Sequence, residues 1–335
     1  MVKPRSYREA GVDVGLAGDF VRAIQPLAYL TRRKGLVRGI GGFGGLFELP
    51  LTSSNGHHPI LVASADGVGT KICLAERAGS YTSLGVDLVA MNVNDILCTG
   101  AEPIFFLDYI ACGKLNAPVL LDLVRGMCRG CSEAHCVLLG GETAQMPLVY
   151  GYDQFDLAGF AVGIVDRKRL VTGETIRVGD KILGLASNGL HSNGFTLVQR
   201  VLSRTQLRQL AQELLKPTRI YVRPVLDLLK RKVPVRGIGH ITGGSFREKI
   251  PRVLPQGTGA VLYKNAWKVP AIFRKIQAAG VSESQMYRTF NMGVGMVLIL
   301  PPESVTRAQQ MLRQHHLASW EIGEVVPGHR EVVFR

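Results

Sequence analysis

The sequence predicts an α/β (α+β) fold of two α/β domains, residues 1–166 and 167–335, on three observations. Short apolar segments of strand length alternate with segments of helical periodicity. Most of these strands end in clusters of glycine and polar residues, as ligand-binding turns do. A polar break at 166–174 follows an apolar strand and marks a change in charge. A chain of 335 residues is long enough for two domains of ordinary size.

The first half begins with a predicted helix, about Asp19–Leu30, followed by the glycine-rich loop 39–45 and a strand at Pro59–Ala63. A second helix, about Gly85–Thr99, carries apolar side chains on one face and stops at Gly100. Three strands and a helix complete this half. They are the strand Ile104–Ala111, the helix Pro118–Glu133, and the strands Cys136–Leu139 and Phe155–Val165.

The second half continues with a predicted strand, Lys181–Ala186, and a helix that starts near Asn193 with Ser192 or Asn193 as its N-cap. Later strands end at Ile241 and run through Met296–Leu300 and Val332–Phe334. The alternation of elements therefore extends through both halves of the chain.

The composition indicates a protein with a substantial core that needs no membrane. It is 46% hydrophobic and 20% charged, which does not favour disorder. The sequence has neither an 18-residue apolar run nor an N-terminal run of signal-peptide length. We therefore expect a soluble cytoplasmic protein with no membrane partner.

All six cysteines lie in the first half, and three of them are close together. Cys128 and Cys131, with His135 and Cys136, resemble part of a zinc site, but a second C-x-x-C pair is missing. Cys128 and Cys131 also fit a helix as small apolar residues. In a reducing cytosol we expect all six to be free thiols.

The net charge of +14 lies entirely in the second half. Through Arg169 there are 16 basic and 16 acidic residues, which leaves 40 − 16 = 24 basic and 26 − 16 = 10 acidic residues beyond it. A basic half suits an anionic substrate or nucleic acid, but a solvated basic helix face is favoured over a nucleic-acid site. Between Arg200 and Lys232 the sole aromatic residue is Tyr221, which argues against base stacking and a nucleic-acid partner.

Residues 64–71, Ser-Ala-Asp-Gly-Val-Gly-Thr-Lys, point to phosphate chemistry. Asp66 can hold a divalent metal, the glycines let backbone N–H groups approach phosphate oxygens, and Lys71 supplies positive charge. The spacing of a Walker A loop is absent. A plain strand-to-helix turn with a surface lysine is the alternative reading.

Further clusters of the same design, each at the end of an apolar strand or helix, are Asn94-Asp95, Gly140–Thr143, His191–Gly194 and Thr242–Gly244. If Asp66, Asp95 and Glu142 converge, mutual repulsion would require a cation, and magnesium with nucleotide phosphates fits such a site. Taken singly, each acid also fits a solvated or helix-terminal charge. His191 is a candidate for proton transfer or anion contact, and an ordinary loop histidine is the alternative.

These motifs together resemble one family over nearly the whole chain, from about Ser6 to Val333. The order is Tyr7–Asp13, Gly41–Gly44, Asp66–Lys71, Asp87–Asp95, Gly100–Tyr109, Gly140–Ala144, Asp156–Phe160, His191–Gly194, Pro217–Tyr221, His240–Gly244 and Tyr287–Met296. The chain resembles the phosphoribosylformylglycinamidine cyclo-ligases, also called aminoimidazole ribonucleotide synthetases, of purine biosynthesis.

The resemblance implies an enzyme that uses ATP and Mg2+ to close the imidazole ring of formylglycinamidine ribonucleotide. It also implies a homodimer in which the N-terminal sheets form a barrel across the interface. Asp95 and His191 are the implied catalytic residues, and Asp66, Asp95 and Glu142 the implied magnesium ligands. The implied ATP or phosphate contacts are Gly41, Gly42, Phe43, Gly44, Gly45, Asp66, Gly67, Val68, Gly69, Thr70 and Lys71. The implied substrate contacts are Ser192, Asn193, Gly194, Thr242, Gly243 and Gly244.

The chain also departs from the resemblance. Many members carry a lysine at Gln25, a threonine at Ala65, a glutamate at Gln145 and a glycine at Ser245. Because that lysine is often considered catalytic, the sequence leaves open a catalytically lapsed paralogue that retains nucleotide binding. Other ATP-using members of the superfamily, such as thiamine-monophosphate kinase, are a further alternative.

Overall fold

The structure is a computed structural model that describes residues 4–51 and 57–335. The described residues form twelve α-helices and two six-stranded sheets. The start of the predicted first domain, residues 1–3, lies outside the described residues, as do residues 52–56. Within the described ranges, no helix combines the length and the apolar character needed to cross a membrane.

The first sheet and its helices come from residues up to Asp166. In chain order they are α1 (Val14–Tyr29), β1 (Leu36–Arg38), β2 (Gly45–Glu48), β3 (Pro59–Gly67), α2 (Lys71–Ala78), α3 (Thr82–Leu97), β4 (Glu102–Cys112), α4 (Ala117–Ala134), β5 (Val137–Gln145) and β6 (Phe155–Asp166). The sheet order is β1-β2-β3-β6-β4-β5, and β4 and β5 are its parallel pair.

The second sheet comes from residues 181–334. Its elements are β7 (Lys181–Ala186), α5 (Phe195–Val201), α6 (Arg204–Gln209), α7 (Ala211–Leu214), α8 (Val222–Lys230), β8 (Gly237–His240), α9 (Ser245–Lys249), β9 (Thr258–Leu262), α10 (Ala271–Ala278), α11 (Glu283–Thr289), β10 (Val294–Leu300), α12 (Val305–Gln314), β11 (Ser319–Pro327) and β12 (Val332–Phe334). The order is β12-β9-β11-β7-β10-β8, antiparallel except for β12 with β9. The expected mixed α/β architecture is confirmed, while the domain boundary at residue 166 stays a prediction.

The first sheet is covered on one face only. Burial alternates along β6, with Phe155, Leu157 and Ala161 inward and Phe160 and Ile164 outward, as period-two geometry requires. The inward side packs against α3, which is buried on nearly every side because α4 and α8 contact it as well. The outward face of the sheet carries exposed apolar side chains.

Several local predictions differ from the structure. Helix α1 begins at Val14 instead of about Asp19, and β3 continues beyond Ala63 to Gly67. The strand predicted at Cys136–Leu139 begins one residue later and continues through the Gly140–Thr143 cluster to Gln145, because pairing with β4 satisfies the backbone there. Helix α5 is capped by Gly194 (φ +81°) without a side-chain hydrogen bond, so the predicted caps Ser192 and Asn193 are wrong. Ser192 instead shares a hydrogen bond with Thr218, at 3.1 Å between the hydroxyl oxygens.

Candidate active site

Most of the predicted site residues lie around a cleft between the two sheets. The first half supplies the end of β3 and the C-terminal half of α3, and the second half supplies the loops after β7 and β8. The side chain of Asn94 ties the halves together, because it donates to Arg219 O (2.9 Å) and accepts from Tyr221 N (3.0 Å). Asp95, the next residue, therefore sits at a fixed position in the cleft.

Asp66 and Asp95 form an acidic pair in this cleft. Asp95 Oδ1 lies 2.8 Å from Nδ1 of the fully buried His240, which orients the carboxylate. Burial raises the pKa of the Asp66 carboxyl to about 6, and the nearby Asp95 carboxylate adds to the rise. The Gly67 N–H bond (2.8 Å) and the positive charge of Lys249 oppose it. A cation bound at the two carboxylates would offset their mutual repulsion.

Replacing Asp66 with asparagine should stabilise the protein in a chelating buffer at neutral pH. The raised pKa means that the folded state binds more protons than the unfolded state between about pH 4 and 6, so unfolding free energy falls as pH rises through this window. Asp66→Asn should remove that slope and gain about 1 kcal/mol at pH 7, after allowance for solvent screening. Urea unfolding at about pH 4 and at pH 7 measures this change. An unchanged dependence of the unfolding free energy on pH would contradict it.

Glu142 does not join this pair within the chain. Asp66 is opposite Gly159 of β6, and Gly159 is opposite Asp108 of β4. Glu142 of β5 is opposite Tyr109, in the next row, so its side chain points to the other face of the sheet. It is also three strands away, about 14 Å at the usual strand spacing. Within residues 4–51 and 57–335 no three acidic, histidine or cysteine side chains are grouped as a metal site.

Lys71 does not lie where a phosphate contact was expected, because it is buried in an ion pair. Its ammonium lies 2.6 Å from Asp87 Oδ2, and both side chains are fully buried. It also donates to His191 O (3.1 Å) and Lys216 O (2.9 Å), while Asp87 Oδ1 accepts from Thr218 N and Oγ1, both at 2.6 Å. Burial lowers the pKa of Lys71 and Asp87 opposes that effect. The lysine therefore joins the two halves of the molecule.

The rest of the 66–71 segment is also engaged with the second half. Val68 is buried in the core, and Gly69 has the left-handed φ of +57° that its turn requires. Thr70 Oγ1 lies 2.8 Å from Thr196 Oγ1, and Thr70 O accepts from Gln199 Nε2 at 2.8 Å. These contacts position Gly67 and Asp66 at the edge of the cleft.

The glycine-rich loop lines a cavity that reaches Asp95. This cavity, of about 640 Å3, is bounded by the loop, by residues 63–65 and by the Asp95 side chain. Gly41 has φ +115°, a conformation that favours glycine. Arg252 Nη1 lies 3.5 Å from Gly42 O, and Arg252 Cζ lies 5.5 Å from the centroid of the Phe43 ring. The loop backbone and Arg38, which also lines it, make this cavity suitable for an anionic ligand.

The loops 191–194 and 242–244 are brought together as expected of a single binding surface. A side chain built at Gly243 would lie 3.3 Å from Asn193 Oδ1, so the backbone of one loop is against the side chain of the other. Thr242 and Gly244 are buried beside it. Among the described residues, Asn193 Nδ2 is buried with no hydrogen-bond partner, which leaves a donor for a ligand.

His191 is buried and held neutral. Burial lowers its pKa well below the ordinary value, and His240, Lys71 and Arg219 add to the effect. Nε2 accepts from Asn188 N (3.2 Å) and Arg219 N (3.4 Å), so the proton is on Nδ1, which is buried with no hydrogen-bond partner in the described part of the chain. A neutral donor suits hydrogen bonding better than acid catalysis at this position.

Sequence reasoning missed the roles of Asp87, His240 and Arg252. Asp87 and His240 stand inside motifs quoted for the family resemblance, but neither motif shows that they pair with Lys71 and Asp95 from another element. Arg252 carries no local signal beyond its charge. Each role depends on contacts between residues more than 15 positions apart.

Comparisons with known proteins bear on the identity of this site. Residues 51–165 match the family described as "AIR synthase related protein, N-terminal domain", and residues 177–335 match its C-terminal counterpart. A phosphoribosylformylglycinamidine cyclo-ligase from Nitrosospira multiformis is 47% identical over 97% of this chain and 94% of its own. The chain belongs to the phosphoribosylformylglycinamidine cyclo-ligase family. The cyclo-ligase of Cupriavidus pinatubonensis is 48% identical over 96% of this chain and 93% of its own.

Solved structures agree with this fold. The thiamine monophosphate kinase of Aquifex aeolicus, complexed with AMPPCP and TMP, has a TM-score of 0.63 at 16% identity and covers 96% of this chain and 95% of its own. At that identity the likeness concerns the fold alone. The cyclo-ligase membership rests on the sequence relatives.

Gln25 occupies a defined place in this cyclo-ligase. Its Nε2 donates to Ile40 O at 3.1 Å, at the start of the glycine-rich loop, and it lines a cavity with Arg38, Arg252 and Arg330. Arg32 contacts the ring of Tyr29, and Arg33 that of Phe47. Positive charge beside Gln25 is therefore supplied by Arg38 and Arg252.

Proposed function

We propose that this cyclo-ligase closes the imidazole ring of formylglycinamidine ribonucleotide with ATP in the cleft between its two halves. The products are aminoimidazole ribonucleotide, ADP and phosphate, in purine biosynthesis. The observation that carries the location is the Asp66–Asp95 pair beside the glycine-rich loop, facing the loops of the second half. A cytoplasmic setting is part of the proposal, and the six free thiols support it.

The residues of the cleft can share the work of phosphoryl transfer. ATP transfers its terminal phosphoryl group to the amide oxygen of the substrate, a nitrogen then attacks the activated carbon, and phosphate leaves. Such chemistry depends on positioning and charge neutralisation more than on a covalent nucleophile. The loop 41–45 and Arg252 would bind the nucleotide. Asn193, His191 and the turn 242–244 would orient the ribonucleotide.

Magnesium fits Asp66 and Asp95. This cation prefers one or two carboxylates together with phosphate oxygens and water, and the closeness of the Asp95 carboxylate, which contributes to the raised pKa of Asp66, supports a cation at this pair. When bound, the cation would neutralise charge on the phosphates. Glu142 lies on the opposite face of the sheet, and we leave it out of the proposed pair. The kinase relative complexed with AMPPCP supports nucleotide binding by this fold.

Turnover tests the proposal directly. The purified protein, incubated with ATP, magnesium and formylglycinamidine ribonucleotide, should form aminoimidazole ribonucleotide and equimolar ADP. Omitting either ATP or the divalent cation should abolish the product. A well-folded protein that makes none at millimolar substrates would contradict the proposal and favour the non-catalytic paralogue.

A homodimer is part of the proposed functional state. The outward face of the first sheet exposes Val137 (59%), Phe160 (45%) and Ile164 (37%), and a contiguous apolar face of this kind is typical of an interaction site. Pairing two such faces would place Glu142 in the interface. This arrangement agrees with the barrel implied by the family resemblance.

Phe160→Asp should convert the dimer to a monomer, because burying two aspartates at a symmetric apolar interface is costly. Analytical ultracentrifugation measures the change. Leu121→Asp, at an exposed apolar position of α4, is the matched control and should remain dimeric. A dimeric Phe160→Asp variant would place the interface elsewhere.

A further inference from the structure

Cys131 and Cys136 meet where α4 ends and β5 begins. His135 takes the left-handed conformation (φ +56°), Cys136 N donates to Cys131 O at 3.0 Å, and His135 N donates to Ser132 O at 3.3 Å. This is the Schellman arrangement, which commonly brings the side chains of these two positions into contact. Five positions apart in sequence, the thiols are neighbours in space.

The two thiols interact directly and differ in acidity. The interaction of the two thiols lowers the pKa of Cys136 and raises that of Cys131, and burial adds to the rise at Cys131. Cys131 is 3% exposed and Cys136 is 8% exposed. Both thiols are buried, and Cys136 is the one that more readily forms the thiolate, which is the reactive form.

The other buried cysteines have different surroundings. Cys112 donates to Ala144 O at 3.7 Å. Cys98 accepts from the backbone N–H of His240, and burial raises its pKa well above the ordinary value. Cys73 and Cys128 are exposed, and Cys128 lies one helical turn before Cys131. These four cysteines therefore serve as internal comparisons for the Cys131–Cys136 pair.

From this geometry we propose that Cys131 and Cys136 are an oxidation site for small hydroperoxides, which convert the pair to a reversible disulfide. The Cys136 thiolate attacks a peroxide oxygen, forms a sulfenic acid and releases water from hydrogen peroxide. The Cys131 sulfur then attacks the Cys136 sulfur, an S–S bond forms and a second water leaves. Two thiols and one peroxide become one disulfide and two waters. Reduction by an external thiol restores the pair.

Peptide mapping of the intact protein tests the site without any substitution. Trypsin places Cys128 in peptide 126–129, Cys131 and Cys136 together in peptide 130–167, and Cys73 in peptide 72–77. After hydrogen peroxide and alkylation, peptide 130–167 should lack two hydrogens and carry no alkyl group. Cleavage after Glu133 should leave its two halves linked, and dithiothreitol should restore both thiols.

Two other cysteines, Cys73 and Cys128, serve as controls in this experiment. Peptide 72–77 should take up oxygen at Cys73 without an internal disulfide. Cys128→Ser should retain the disulfide, whereas Cys136→Ser should lose it. Unreacted Cys131 and Cys136 under conditions that oxidise Cys73 would overturn the proposal and leave the pair as a packing contact. Peptide 126–129 linked to 130–167 would overturn it in favour of Cys128.

Discussion

Lys71→Met is expected to lower the free energy of unfolding by about 3–5 kcal/mol, because it leaves the buried Asp87 carboxylate without its cation. The ammonium and carboxylate are 2.6 Å apart and fully buried. The carbonyl groups of His191 and Lys216 would lose a donor as well. Urea unfolding followed by the fluorescence of Trp267 and Trp320 measures the change.

Two further variants test whether the loss comes from the buried ion pair. Lys230→Met removes an exposed lysine, 3.4 Å from Glu102, and should change the free energy of unfolding by less than about 1 kcal/mol. The double variant Lys71→Met with Asp87→Asn should lose less than the sum of the single losses, because no unpaired charge remains. A loss for Lys71→Met no larger than that for Lys230→Met would show that the pair does not hold the two halves together.

Asp95→Asn is expected to reduce kcat by at least about 100-fold, the size typical of removing one preorganised charge from an active site. Asparagine has nearly the same shape and can still accept the 2.8 Å hydrogen bond from His240. The free energy of unfolding should therefore change by less than about 1 kcal/mol. Ring-closure assays and urea unfolding on the same preparations separate the two effects.

Asp122→Asn is the matched control for this substitution. Asp122 is an exposed residue of α4 that pairs with Arg125 at 2.8 Å, and its loss should leave kcat within a factor of about two. Wild-type turnover by Asp95→Asn would remove Asp95 from the proposed magnesium pair. A large loss of stability would instead make it a structural residue.

Helices and strands were predictable where the apolar pattern of the sequence matches the side that is buried in the structure. The alternation along β6 follows the side of the strand that faces the core, so it was recovered from the sequence. The apolar spacing predicted α3 as a helix, but not that it is buried on nearly every side. The Gly140–Thr143 cluster was not recovered as part of a strand, because glycine and polar residues favour a turn locally. Pairing with β4 outweighs that preference and extends β5 to Gln145.

Local sequence was sufficient for the longer helices and strands of the first half, for the glycine-rich loop and for the family resemblance, because these depend on neighbours along the chain. The partners of the charged residues depended on folding. Lys71 reads as a surface phosphate ligand beside two glycines, yet Asp87 and two carbonyl groups from the second half enclose it. Glu142 reads as a third magnesium ligand, yet a one-residue difference in register turns it to the other face of the sheet. Electrostatic partners act across space, so only the packed structure selects them.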